Sequence, residues 1–241
     1  MKKYFNILNI RLILIFALAL FLFSFANTRN QNRKLQRSEV IFEGENTNFI
    51  KQEIVNKLLI DYKLDAKSIK KVSLNLKNTE KTLDSNPMIE KSEVYVSVDG
   101  VLKARVVQKT PIGRVFADSD SYYIDYQGKK MPLSDEETAR VPLVFCNTNF
   151  KVDSKLVDVL KIIYDDKFLS KNITNLQIQS DQSIILLNRN YDFKILFGQA
   201  VNIENKFKNY KAFYQKASEN KVLEKYKSIN LTFNHQVVAV K

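Results

Sequence analysis

The sequence predicts an α+β protein: a single N-terminal transmembrane helix, a small strand–helix–helix–strand–strand domain, then a β-rich domain with flanking helices. Three observations carry that prediction. Residues 12–26, LILIFALALFLFSFA, contain no charge. Residues 39–110 follow the order strand, helix, helix, strand, strand and close on a strong hairpin signal. Residues 111–241 hold short alternating segments interleaved with helical stripes, so helices can cover a sheet.

The charge-free run is shorter than the ~20 residues needed to cross ~30 Å of hydrocarbon. Extending it back through Phe5 to Ile10, with Arg11 reaching toward the headgroups, supplies the length. One reading is a membrane helix over 7–27 behind a cytoplasmic tail, 1–6. The other is a cleaved signal peptide, with Lys2 and Lys3 before the core and the small-x-small triplet Ser24-Phe25-Ala26 after it. Lys2, Lys3 and Arg11 precede the core, while Arg29, Arg33, Lys34 and Arg37 follow it, so charge bias does not choose between them. Both readings export the polar bulk. Residues 28–38 are polar and basic without apolar period and read as a juxtamembrane linker.

Val40-Ile41-Phe42 opens a strand and Glu43-Gly44-Glu45 turns it. Asn46-Thr47-Asn48 offers caps for a helix with Ile50, Ile54 and Leu58 at intervals of four. A second helix is expected over 79–85, capped by Asn78 and stopped at Asn86-Pro87, because the residue before proline leaves helical conformation. Val94, Val96 and Val98, then Leu102, Ala104 and Val106, alternate around Asp99-Gly100. That pattern predicts a hairpin over 91–108 with a two-residue turn, closed by Thr110-Pro111.

Beyond it, 121–126 with Gly128 suggests another hairpin, and 141–145 is an apolar run. A helix over 152–164 places Leu156, Leu160 and Ile163 on one face behind Asp153-Ser154. Strands are expected at 173–179, 183–188 and 191–197, the last with Tyr191, Phe193, Ile195 and Phe197 on one face. A helix with Ile203, Phe207, Tyr210 and Tyr214 in one stripe follows. One strand, 228–240, ends the chain and can sit at a sheet edge, where unpaired N–H and C=O groups accept a partner strand. A partner beside 228–234 would draw on the Thr232 N–H.

The composition argues against several chemistries. Net charge is +12 from 38 Lys plus Arg against 26 Asp plus Glu, but the excess is spread and accompanies no nucleic-acid motif. Five scattered glycines form no phosphate loop. Cys146 lies in an apolar run and reads as a small buried hydrophobe. His235 is the single histidine, so no multi-histidine metal site and no ordinary Ser-His or Cys-His pairing is expected. Asp118-Ser119-Asp120 lacks the later Gly and Glu of a calcium loop and reads as a turn. Asp165-Asp166, Asp135-Glu136-Glu137 and the lysines Lys206, Lys208, Lys211 and Lys216 read as solvated positions. No enzyme activity and no cofactor is expected.

Several stretches, in order, resemble the FtsQ/DivIB family of bacterial cell-division proteins in its short-tailed version. Asn86-Pro87-Met88-Ile89 leading into Ser92-Glu93-Val94-Tyr95-Val96 looks like its helix-to-strand passage. Gln108-Lys109-Thr110-Pro111-Ile112-Gly113-Arg114 looks like its interdomain junction. Tyr122-Tyr123-Ile124-Asp125 to Gly128, Met131-Pro132-Leu133-Ser134 and Val141-Pro142 look like the start of its second domain. Residues 225–233 and Gln236-Val237-Val238 resemble its closing strand. Gln108 departs from an acidic residue common in relatives, and Thr232-Phe233 from an Arg-Tyr pair of some members.

The resemblance implies a POTRA domain over 39–110 and a β-rich FtsQ-type domain over 111–241. It implies a non-catalytic bitopic scaffold in the cell inner membrane at the division septum, N-terminus cytoplasmic, bulk periplasmic. The implied partners are FtsB- and FtsL-like small membrane proteins, with FtsK, FtsW and FtsI-like proteins as further ones. Tyr226, Ser228, Ile229, Asn230, Leu231, Thr232 and Phe233 become the implied partner-binding residues. The rival reading is a POTRA-containing periplasmic module of a secretion or outer-membrane assembly system. The chain lacks the serial ~10-residue alternating segments of a barrel that such a module would precede.

Overall fold

The computed structural model describes residues 7–44, 49–60, 69, 74–117, 120–146, 152–233 and 236–241. The expected tail at 1–6, the caps at Asn46-Thr47-Asn48, part of the turn at Asp118-Ser119-Asp120, and His235 lie outside them. The chain forms two contact units, residues 1–46 with 50–108, and residues 47–49 with 109–241.

The first unit begins with α1, Ile7–Gln31. Its apolar side chains from Leu12 to Phe25 are exposed on all sides, as in a helix whose surroundings are apolar all round. Twenty-five residues reach about 37 Å, enough to cross a bilayer core. The expected linker at 28–38 is corrected. The helix runs on to Gln31, and Leu35 is 1% exposed in the unit's core. The Leu35 N–H donates to Ile69 O at 3.0 Å and Gln36 N–H to Gly100 O at 2.9 Å. One leucine among polar residues has no period to betray it.

The following elements are β1 (Arg37–Glu43), α2 (Gln52–Leu59), α3 (Leu76–Asp84), β2 (Ile89–Val96) and β3 (Val101–Gln108). The sheet order is β1-β3-β2, with β1 parallel to β3 and β2 antiparallel to it. Val40, Leu102, Ala104, Val106, Val55 and Leu83 meet in its core.

Three local expectations shift. Ile50 precedes α2, so the buried helical face is Val55 and Leu59, and Ile54 is 43% exposed. Asn75, not Asn78, caps α3, its side chain accepting from Asn78 N–H. Beyond a closing Ser97–Val101 pair, the β2–β3 loop holds three residues, 98–100, rather than two: Ser97 N–H donates to Val101 O and Gly100 N–H to Ser97 O. Gly100 has φ +86°, the left-handed residue such a loop requires. Val98 therefore leaves the alternation and is 86% exposed.

The second unit holds β4 (Pro111–Ala117), β5 (Asp120–Asp125), β6 (Lys130–Met131) and β7 (Leu143–Cys146). After α4 (Ser154–Asp165) and α5 (Lys167–Asn172) come β8 (Ile173–Ile178), β9 (Ile184–Asn188) and β10 (Lys194–Gly198). Then follow α6 (Ile203–Glu219), a 3-10 turn (Leu223–Lys225), β11 (Ser228–Asn230) and β12 (Val238–Val240). One sheet runs β12-β11-β10-β9-β8-β7-β4-β5-β6. Val115, Val144, Leu176, Leu186, Ile195 and Ile229 share a core with Leu160, Ile163, Leu169, Phe207 and Tyr210 of the helices. As expected, Asp153 caps α4 by accepting from Leu156 N–H at 2.9 Å. β4 falls where only a junction was expected; Pro111 at its first position is compatible with a strand.

Candidate partner-binding edge

The single terminal strand expected over 228–240 is two strands. β11 pairs parallel with β10 on one side, Lys194 opposite Ser228 and Leu196 opposite Asn230. On its other side β12 pairs antiparallel, Ser228 opposite Val240 and Asn230 opposite Val238. The expectation that Ser228–Asn230 forms the sheet edge is thereby corrected: both its sides are occupied, and β12 is the edge. The parallel β10–β11 pair needs a crossover, which α6 provides.

The expected site residues divide by side chain. Ile229 and Leu231 are buried in the core. Ser228 and Asn230 are half-buried, while Thr232 and Phe233 are exposed. Half-buried Tyr226 packs edge-on against Phe213 at 5.3 Å, with Lys241 Nζ 6.0 Å from its ring centroid. The Thr232 N–H is not an outward donor. It donates to Asn230 Oδ1 at 2.9 Å, and Thr232 Oγ1 donates to the same atom at 2.7 Å. The sequence contained that signal: Asn two residues before Thr favours such a local bond.

The outward backbone belongs to β12. Val240 O accepts from Lys227 N–H at 2.7 Å, so Val240 faces β11. Alternation along the strand turns the N–H and C=O of Ala239 to the other side. Val238 and Val240 are 39% and 53% exposed, giving the edge an apolar face. These three residues were in the sequence reading only as strand formers.

The structure beneath this end of the sheet is closely fitted. Gly198 ends β10 at φ +70°, a conformation that glycine adopts most readily. A Cβ there would lie 2.8 Å from Thr232 Cγ2, so the chain after β11 lies directly against β10. Lys206, expected on a solvated face, is 5% exposed. Its Nζ donates to Phe197 O at 2.8 Å and Gln199 O at 2.7 Å, and sits 4.8 Å from the Phe197 ring centroid. Burial lowers its pKa from the ordinary 10.5, because the charged form loses water. Its spacing, three after Ile203 and four before Tyr210, places it on the apolar stripe and was the available clue.

Of the other expected solvated charges, Asp135, Glu136, Lys208 and Lys216 are exposed as expected, whereas Asp165, Asp166 and Lys211 take structural roles. Asp166 caps α5 through Phe168 and Leu169 N–H and accepts from Lys211 Nζ at 2.6 Å. Asp165 Oδ2 accepts from Tyr126 OH at 2.9 Å. Cys146 is half-buried. Among the described residues no three His, Cys, Asp or Glu side chains are grouped to hold a metal ion.

The sheet's far end is closed differently. β6 is two residues long, with Met131 fully buried. Lys130 Nζ pairs with Asp120 Oδ2 at 2.7 Å and stands 4.2 Å from the Tyr122 ring centroid.

Comparison with known families finds that the profile described as FtsQ/DivIB, C-terminal related, matches residues 110–240. That span is the unit carrying the nine-stranded sheet and exceeds half of the 241-residue chain. No curated protein matches the chain. The chain belongs to the FtsQ/DivIB family of cell-division proteins, whose members are division scaffolds and not known enzymes.

Proposed function

We propose that the protein is a non-catalytic, single-pass membrane scaffold of the division machinery that captures a strand of a partner protein along β12. The observation that carries this is the outward, apolar edge at Val238–Val240, with the Ala239 backbone turned away from β11. A partner strand there would form main-chain bonds with Ala239, while Val238 and Val240 contact its side chains. Tyr226, Ser228, Asn230, Thr232 and Phe233 would frame the edge, and Ile229 and Leu231 would hold it from within. FtsB- and FtsL-like small membrane proteins are the partners family membership supports, with FtsK, FtsW and FtsI-like proteins as further ones.

In this reading residues 39–110 are a POTRA domain, supported by their element order and the parallel β1–β3 pairing. Residues 111–241 are the FtsQ-type domain. The α1 helix anchors the chain in the inner membrane with the N-terminus cytoplasmic, 1–6, and the bulk periplasmic at the septum.

Ala239→Pro tests the capture. It deletes the outward N–H, and edge strands tolerate proline when the ladder to their neighbour does not need that donor. Loss of one main-chain bond is expected to weaken binding of an FtsB-like partner about tenfold, with cooperative unfolding of the full chain unchanged. Unchanged affinity in a variant that folds sinks strand addition at β12.

A further inference from the structure

The three-stranded sheet of the first unit has one end fixed beside α1. Only residues 32–36 separate α1 from β1, and they are pinned rather than slack. Leu35 and Gln36 N–H donate to Ile69 O and Gly100 O, and Arg33 Nη1 donates to Val98 O at 3.1 Å. β3 starts level with β1, Arg37 opposite Val101, and runs parallel to it. The β2–β3 hairpin tip therefore lies at the end of the sheet from which α1 departs.

That end is basic and carries an exposed apolar residue. Arg33, Lys34 and Arg37 line two open grooves with Val98 and Asp99, the one carboxylate among the lining residues. Arg29 lies in the last turn of α1. The Val98 side chain points its 86% exposed surface outward from a loop whose carbonyl is held by Arg33.

Height above the bilayer follows from the helix. From Ala26, the last residue of the charge-free run, to Gln31 the rise is about 7.5 Å. The headgroup layer on each side is about 5–8 Å thick. Arg29 falls within that layer, and Arg33 with Val98 at its outer boundary. Anionic lipid attracts Lys and Arg within a Debye length of the surface.

We infer that the Arg29, Arg33, Lys34, Arg37 and Val98 rim docks the first unit onto anionic lipid headgroups of the membrane that α1 enters. The docking rests on the anchor reading of α1. It holds the sheet's strand direction against the membrane rather than leaving the unit to swing on a tether.

The full chain carrying Cys146→Ser and a single fluorophore at Val98→Cys is placed in nanodiscs with headgroup-attached nitroxide quencher. Ser85→Cys, exposed beyond the other end of β2, is the matched control. Phosphatidylglycerol-rich discs are expected to quench position 98 several-fold more than position 85. Pure phosphatidylcholine discs, or salt near 1 M where screening shrinks to ~3 Å, are expected to remove most of that excess. Equal quenching at 98 and 85 in chains that co-migrate with discs overturns the docking and leaves the anchor intact. Equal excess in both lipids overturns the anionic partner. A chain that fails to co-migrate with discs at all overturns the anchor, and the docking with it.

Discussion

The two ends of the nine-stranded sheet manage their edges in opposite ways. At β6 the strand is two residues long, Met131 is buried, and Lys130 is held by Asp120 over the Tyr122 ring. Short length and an outward lysine are ways to blunt an edge against further pairing. At β12 the exposed residues are Val238 and Val240, and Lys227 beneath them spends its N–H on Val240 O. An unguarded apolar edge is a liability in a solitary protein, and in a scaffold it is a place to bind. The difference singles out β12 as the end at which the proposed strand capture would act.

The contrast can be broken from beneath. Gly198→Ala introduces a Cβ 2.8 Å from Thr232 Cγ2 at φ +70°. The left-handed conformation alone costs an alanine about 1–2 kcal/mol, and the contact adds to it. Denaturant unfolding is expected to show a loss of about 2–3 kcal/mol, partly restored by adding Thr232→Ser. A wild-type midpoint would mean the chain after β11 is not seated on β10.

Lys206→Met leaves the Phe197 and Gln199 carbonyls without their donor, an expected loss of about 2 kcal/mol. Its pH dependence has a definite sign. The folded lysine gives up its proton below the ordinary 10.5, whereas the unfolded one keeps it to that value. Between the two the unfolded state binds more protons, so wild-type stability rises with pH relative to Lys206→Met. A gap that narrows on approaching pH 10.5 would contradict the buried lysine.

Charging the open edge is a smaller perturbation. Val240→Lys is expected to impair partner binding while shifting stability by less than about 0.5 kcal/mol. At the closed edge, Lys130→Ala removes an exposed ion pair and is expected to leave unfolding and binding unchanged, since such pairs contribute little. Any gain of partner binding by Lys130→Ala would show that lysine to be the guard of that edge.

Elements with strong period or a defined cap were legible. Asp153 before the Leu156–Leu160–Ile163 stripe located α4, and Ile195 and Phe197, with buried Phe193 just before them, gave away the buried face of β10. Elements set by distant contacts were not. The run Pro111-Ile112-Gly113 buries successive residues, because the register against β5 shifts between Pro111 and Gly113 and such a bulge breaks the two-residue alternation. Lys206 was assigned to solvent by its charge, although its position on the α6 stripe placed it against the end of β10. The candidate site was legible as a region but not as an edge. Propensity does not tell an inner strand from an edge, and only the antiparallel return of the chain decides which backbone faces outward.

The parallel β1–β3 pair also sets how the first unit carries load. The chain enters it from α1 at the start of β1 and leaves at Gln108, the end of β3. Traction between the two points pulls adjacent strands in opposite directions along their length. The pairs from Arg37↔Val101 to Glu43↔Val107 are then sheared together, whereas a hairpin pulled at its open end yields one pair at a time. Tension across the unit is therefore borne by the whole β1–β3 ladder at once.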